Sequence, residues 1–192
     1  MPRTRFWKEK DNEIERLFWG KTRIEHACAL FFFRKGSLYR PLIHKLKYSG
    51  NRRIGVRLGE ELGICLNDVD TFSDVDLLTP VPLHPQKERA RGYNQSELIA
   101  RGISNIMNVP VDTGNLIRAH YTETQTRKNR MERIANVEKV FDVIDCSRFE
   151  NKHVMLIDDV ITTGSTIEAC ASVLSDKCNC RLSIASLGYA SG

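Results

Sequence analysis

Two adjacent aspartates, Asp158 and Asp159, precede a hydroxyl-rich turn and are the residues best suited to carry chemistry. The turn consists of Thr162, Thr163, Gly164, Ser165 and Thr166. The apolar run 154–157 predicts a buried strand before the pair, and a helix is expected from about Ser165. A turn at a helix start binds anions, because its free N–H groups and the helix dipole favour negative charge. Carboxylates beside a phosphate would repel it unless they contact sugar hydroxyls or Mg²⁺, so the segment predicts a ligand with a phosphate and a diol.

This segment resembles the phosphoribosyl-diphosphate (PRPP) signature of type I phosphoribosyltransferases. The resemblance implies that Asp158 and Asp159 form the catalytic pair and bind the ribose hydroxyls of PRPP. It also implies that the turn 162–166 wraps the 5′-phosphate and that Mg²⁺, as cofactor, bridges the diphosphate and the ribose. The structural alternative is a capped strand–turn–helix corner whose acidic side chains face solvent.

Further stretches are similar to the ComF family of competence-associated, phosphoribosyltransferase-like proteins: 44–50, 80–95 and 118–141. The resemblance implies that Arg89 and Arg91, which follow a proline-bracketed pyrophosphate loop, bind pyrophosphate. It also implies that segment 121–137 is a mobile lid over the reacting sugar. The alternatives are a solvated basic loop and an ordinary exposed helix. The four-cysteine zinc module with which family members often begin is absent from this sequence.

The resemblance implies an enzyme that displaces pyrophosphate from C1 of PRPP with an acceptor that no residue identifies. A non-catalytic PRPP- or nucleotide-sensing module that serves DNA uptake is the alternative, because binding and catalysis need the same phosphate loop. Beside PRPP, the implied partners are nucleic acid or a protein of the competence machinery, and a homodimer is left open.

Strands that alternate with helices along the sequence predict an α/β fold with a largely parallel sheet. Strands are expected at 28–33, 75–83, 116–119, 139–144, 154–157 and 181–190. Helices are expected at 11–19, with Asp11 or Asn12 as the cap, and at 41–48, 54–62, 96–107 and from residue 165. With the resemblance, this pattern implies a phosphoribosyltransferase-like core, 61–192, and a small N-terminal hood, 1–60, in one compact unit.

The net charge of +5 is unevenly distributed. Residues 1–60 contain fifteen Lys and Arg against six Asp and Glu, whereas residues 61–192 contain fourteen against eighteen. A basic first third predicts a polyanionic partner, such as nucleic acid or a phosphorylated ligand, or else a solvated basic face. The longest apolar run, 27–33, is too short for a membrane span, and no secretory signal precedes it. We therefore expect a cytoplasmic protein.

The six cysteines include no C-x2-C pair, so we expect reduced thiols and no zinc site. The five histidines form no catalytic triad pattern in the sequence. His153 directly precedes the motif strand and is interpreted as structural, whereas His84 in the pyrophosphate loop is a ligand candidate.

Overall fold

The computed structural model describes residues 3–33, 51–118 and 140–190. The strands in these ranges are β1 (His26–Phe32), β2 (Leu77–Pro80), β3 (Leu116–Arg118), β4 (Phe141–Val143), β5 (His153–Ile161) and β6 (Arg181–Tyr189). The helices are α1 (Glu13–Arg16), α2 (Arg52–Asn67), α3 (Pro85–Arg91), α4 (Gln95–Met107) and α5 (Ser165–Lys177). None of the helices in the described ranges is long and apolar enough to cross a membrane.

Four parallel strands form the central sheet in the order β1-β6-β5-β2, and β3 and β4 form a separate antiparallel pair. The predicted α/β fold with a parallel sheet flanked by helices is confirmed. The crossovers from β1 to β2 and from β5 to β6 run in opposite directions across the sheet. Because such connections are right-handed, α2 and α5 cover opposite faces. The apolar run 154–157 in β5 is fully buried, and the helices α4 and α5 pack against this strand.

The predicted helix at 41–48 and the predicted lid at 121–137 lie outside the described residues. The division at residue 60 stays a prediction, although α2 extends across it and β1 belongs to the same sheet as β5 and β6.

The helices α2 and α4 cross at glycines, so their backbones touch. A Cβ on Gly59 would overlap the carbonyl oxygen of Ile99, and a Cβ on Gly102 would overlap that of Val56. The sites of overlap are backbone atoms, which cannot rotate away as a side chain can. The close crossing therefore depends on the missing side chains of both glycines.

Asn12 joins α1 to the edge of the sheet. Its Oδ1 accepts hydrogen bonds from the N–H groups of Ile14 (3.0 Å) and Glu15 (3.2 Å), and its Nδ2 donates to the Ala27 carbonyl of β1 (2.8 Å). The side chain is 5% exposed, so water cannot replace these partners. The prediction of a helix capped by Asp11 or Asn12 is confirmed for Asn12.

We expect Asn12→Ala to lower the free energy of unfolding by about 2–3 kcal/mol, because it removes a helix cap and leaves the Ala27 carbonyl without its partner. Urea denaturation followed by circular dichroism measures the change. The matched control is Asn105→Ala, since Asn105 is exposed and makes one long contact, 3.4 Å, with Glu60. Equal stability losses in the two variants would contradict the anchoring role of Asn12.

Cys146 and Cys178 form a disulfide bond, so the expectation that all six cysteines are reduced is wrong. Cys146 begins a short 3-10 turn after β4, and Cys178 directly follows α5. The sequence could not predict this pairing, because the two cysteines are 32 residues apart and come together only where β4 packs against α5. Cys28, Cys65, Cys170 and Cys180 are free thiols. Burial raises the pKa of each, that of Cys180 to about 11.

A crosslink across this separation should contribute about 3–4 kcal/mol to the free energy of unfolding, because it restricts the unfolded chain. We expect dithiothreitol to lower the stability of the wild type and to leave a Cys146→Ser/Cys178→Ser variant unchanged. Alkylation of the denatured, unreduced wild type followed by mass spectrometry should modify four cysteines, the free thiols above. Modification of all six would show that the bond does not form.

Candidate functional site

The acidic pair lies within the carboxyl-terminal half of β5, which corrects the expectation of a strand that ends before it. The strand β5 pairs with β6 up to Ile161, whereas the neighbouring β2 ends at Pro80, opposite Ile157. Beyond that point, no other described strand lies on this side of β5. Asp158 and Asp159 are half-buried beside the opening. Because successive strand residues point in opposite directions, the two side chains leave β5 on opposite sides of this open edge, and a ligand that occupies the edge lies between them.

Asp158 is held by hydrogen bonds on the face that α4 covers. Ser96, in the first turn of α4, donates its hydroxyl to Asp158 Oδ1 at 3.1 Å. The backbone N–H of Asp159 donates to the same oxygen at 2.8 Å. Two donors on one oxygen fix the orientation of the Asp158 carboxylate.

The hydroxyl-rich turn follows β5 directly and presents its side chains to solvent. Its exposed members are Thr162, Thr163, Ser165 and Thr166. The hydroxyls of Thr163 and Ser165 lie 2.9 Å apart. Together with Asp158, the turn lines a small concavity of about 40 Å³. Two larger concavities in the described part of the chain, of about 820 and 470 Å³, contain none of the predicted site residues.

Gly164 is the buried member of the turn and the N-cap residue of α5. Its φ of +79° lies in the left-handed region, and a Cβ would come within 3.2 Å of the Phe18 ring. Conformation and packing therefore both favour glycine here. Glycine has no side chain to cap the helix, and the N–H of Ser165 donates instead to Thr163 Oγ1 at 3.4 Å. The helix start therefore has no cap from its N-cap residue, which is compatible with the predicted anion site.

Arg89 and Arg91 lie on a helix, α3, so the alternative of a solvated basic loop is wrong, while their role in binding pyrophosphate stays a prediction. Pro85 takes the first helical position, where its missing N–H costs nothing. The His84 ring accepts a hydrogen bond from the N–H of Gln86 at 3.2 Å and so caps the helix. His84 thus has a structural partner, and its role as a ligand stays a prediction.

The two arginines have different surroundings. Arg89 is exposed and makes no hydrogen bond or ion pair with another described residue. Arg91 is half-buried, and its Nη1 donates to Gln95 Oε1 at 2.7 Å. Gln95 and Ser96 are neighbours in the first turn of α4, so the structure connects Arg91 to the turn that holds Asp158, and leaves Arg89 on the outer face of α3.

The contacts of two side chains around this turn, Asn94 and Arg52, escaped the sequence analysis. Asn94 caps α4 and donates from Nδ2 to the Val81 carbonyl at 3.0 Å. Arg52, at the start of α2, donates to the Gly92 carbonyl at 2.6 Å, and its guanidinium lies 5.6 Å from the Tyr93 ring centroid. Arg52 therefore fastens α2 to the connection between α3 and α4. Only the asparagine carries a sequence signal, because its residue type is typical of a helix N-cap.

His153, Ser183 and Asp74 are spaced like a hydrolase triad. His153 Nδ1 lies 2.8 Å from Asp74 Oδ1, and Nε2 lies 2.8 Å from Ser183 Oγ. However, Ser183 is fully buried in β6, so no substrate can reach its hydroxyl. Although burial acts to raise the pKa of Asp74, hydrogen bonds from Arg181 and His153 hold it below its usual range. The cluster ties β5 and β6 to the segment before β2, in agreement with a structural His153.

The donor set at the site fits Mg²⁺ that arrives with a diphosphate. Mg²⁺ is commonly held by one or two carboxylates plus substrate phosphates and waters. Asp158 and Asp159 supply two carboxylates, and in the described ranges no group of three His, Cys, Asp or Glu side chains could hold a metal ion. The residues present therefore suit a metal shared with the ligand rather than one enclosed by protein.

The sequence matches no protein-family model. It is 29% identical over 137 residues to competence protein F of Haemophilus influenzae, which covers 69% of this chain and 60% of that protein. It is also 29% identical over 137 residues to the DNA utilization protein YhgH of Escherichia coli K12, with 70% and 60% covered. With competence protein ComFC of Bacillus subtilis the identity is 36% over 101 residues, with 53% and 39% covered. The match thus spans about 60% of the length of the first two relatives.

Among solved structures, the chain is similar to a purine phosphoribosyltransferase from Pyrococcus horikoshii Ot3. The TM-score is 0.42 at 18% sequence identity, and 69% of this chain and 70% of that chain are covered.

Proposed function

We propose that the chain binds PRPP with Mg²⁺ and displaces the pyrophosphate with an acceptor nucleophile, because segment 154–166 resembles the PRPP signature of type I phosphoribosyltransferases. The resemblance to competence-associated proteins that the sequence suggested is confirmed. The observation that carries the proposal is the concavity that Asp158, held by Ser96, lines together with the hydroxyl-rich turn 162–166. This juxtaposition offers acceptors for a diol beside donors for a phosphate.

Each group has a role in this reaction. The bond between C1 and the pyrophosphate oxygen breaks through an oxocarbenium-like state, so the protein mainly positions reactants and stabilises charge. The turn 162–166 holds the 5′-phosphate, while Asp158 and Asp159 accept hydrogen bonds from the ribose hydroxyls. Arg89 and Arg91 bind the pyrophosphate as negative charge develops on it. The bound Mg²⁺ would supply charge neutralisation on the diphosphate.

Two measurements on the full chain test the proposal. Calorimetric titration with PRPP and Mg²⁺ should give saturable binding of one PRPP per chain. Release of pyrophosphate should then exceed spontaneous PRPP hydrolysis with at least one acceptor from a panel of bases and amines. Absence of PRPP binding would refute the proposal. Binding without release for every acceptor would favour the second candidate.

The second candidate is a non-catalytic PRPP- or nucleotide-sensing module that serves DNA uptake. The relatives' names, competence protein and DNA utilization protein, and the basic first sixty residues favour it. The salt dependence of duplex DNA binding separates the two, because each phosphate contact contributes about −0.9 to the log–log slope. A DNA-binding module should show a steep slope that Lys45→Ala with Lys47→Ala makes shallower. An enzyme with an incidental basic face should show a shallow slope in both proteins.

A further inference from the structure

We propose that Gln95 is a positioning residue that holds the Arg91 guanidinium in place for the leaving pyrophosphate. The proposal rests on the proposed function of this site and deepens it, since it says what sets the direction of the leaving-group contact. Gln95 itself is 2% exposed, so it acts through Arg91 rather than on the ligand.

The contact is short and specific. Arg91 is the last residue of α3 and Gln95 the first residue of α4. The Nη1–Oε1 distance of 2.7 Å is typical of a charge-assisted hydrogen bond. The hydrogen bond from Gln95 restricts the rotamer of the long Arg91 side chain. Part of the entropy cost of ordering this side chain is therefore met before the ligand binds. An arginine fixed in this way presents its fork to phosphate oxygens without first becoming ordered.

Folding alone does not explain an amide at this position. An amide NH₂ group cannot accept a hydrogen bond, so Oε1 must face Arg91 and Nε2 must point elsewhere. That Nε2 atom is buried and has no hydrogen-bond partner in the described part of the chain. An unsatisfied buried donor destabilises the folded state, whereas an apolar side chain of similar size would remove the cost. The amide is therefore best explained by what its oxygen does for Arg91.

The neighbours of Gln95 make the first turn of α4 a rigid frame. Asn94 attaches the turn to the Val81 carbonyl at the end of β2, and Ser96 holds Asp158. Consecutive residues of one turn thus hold the pyrophosphate-binding arginine and the ribose-binding aspartate. This arrangement fixes the distance between the two halves of the site by backbone geometry, which preorganises it for a ligand that spans both.

The test is Gln95→Met, which keeps the size of the side chain and removes both the acceptor and the unpaired donor. We expect the Kd for PRPP with Mg²⁺ to rise about tenfold, the effect of losing one charge-assisted contact. The Kd for ribose 5-phosphate, which lacks the pyrophosphate, should stay within about twofold of the wild type, and Tm should be unchanged or higher. In an Arg91→Ala background, Gln95→Met should change the PRPP Kd by less than about twofold. Gln86→Met, on the exposed face of α3, is the matched control and should change nothing.

Other outcomes have defined meanings. If the wild type binds PRPP and Gln95→Met leaves the Kd unchanged, the positioning role is wrong while the proposed function stands. Equal losses for PRPP and ribose 5-phosphate, or equal losses with and without Arg91, would show a general structural role and overturn the proposal. The same holds if both Gln95→Met and Gln95→Leu fail to fold. If the wild type binds no PRPP, the proposed function fails and this proposal fails with it.

Discussion

Replacing Gly102 with alanine should lower the free energy of unfolding by about 3 kcal/mol or more, a large part of the stability of a domain of this size. The substitution gains about 1 kcal/mol of helix propensity. Against this gain, the new Cβ would overlap the Val56 carbonyl and come within 2.8 Å of the Gly59 Cα. Since both are backbone atoms, the helices α2 and α4 must separate along their crossing, and the buried contacts of Leu62 and Ile103 loosen with them.

Urea denaturation followed by circular dichroism measures this loss. The matched control is Gly114→Ala, because a Cβ at Gly114 meets nothing within 4 Å, and we expect a change within about 0.5 kcal/mol. Gly59→Ala should reproduce the effect of Gly102→Ala, because its Cβ would overlap the facing Ile99 carbonyl. If both helix variants are as stable as the control, the crossing is wider than described.

Asp158→Asn and Asp159→Asn should each weaken the binding of PRPP with Mg²⁺ by about tenfold to a hundredfold and leave the domain folded. The expected loss, about 1.5–3 kcal/mol, is that of a hydrogen bond to a charged group. Asp158→Asn should have a further effect, because an amide group can turn its NH₂ toward Ser96 and the Asp159 N–H, where the carboxylate accepts two hydrogen bonds.

Calorimetric titration of the two variants and the wild type measures these losses, with thermal unfolding as the check on folding. Asp176→Asn, an exposed carboxylate on α5, is the matched control and should bind as the wild type does. If the wild type binds PRPP and both site variants bind it equally well, Asp158 and Asp159 do not bind the ribose hydroxyls. The turn 162–166 would then remain as a phosphate site without a diol partner.

The sequence by itself determined the elements that local chemistry specifies. The apolar run 154–157 predicted a buried strand, the hydroxyl-rich turn predicted a helix start, and α4 was expected at 96–107, where it begins one residue earlier at Gln95. Asn12 was predicted as a cap because its amide suits that position. In each case, the residues that interact lie within a few positions of one another or repeat with the period of their element.

Only the tertiary structure decided how far β5 extends and what holds the site. The strand continues through Asp158 and Asp159 because β6 pairs with it, although β2 has already ended. The sequence analysis predicted no helix at the position of α3. This helix has only seven residues and no buried side chain, so it has no repeat of apolar residues from which a helix could be predicted.

The polar contacts show the same division. Ser96 meets Asp158 across 62 residues, His153 meets Ser183 across 30, and Cys146 meets Cys178 across 32. Serine, histidine and cysteine occur equally in unrelated surroundings, so their residue types alone do not name a partner. Strand order and helix crossings bring these side chains together, and those depend on burying the whole apolar surface at once.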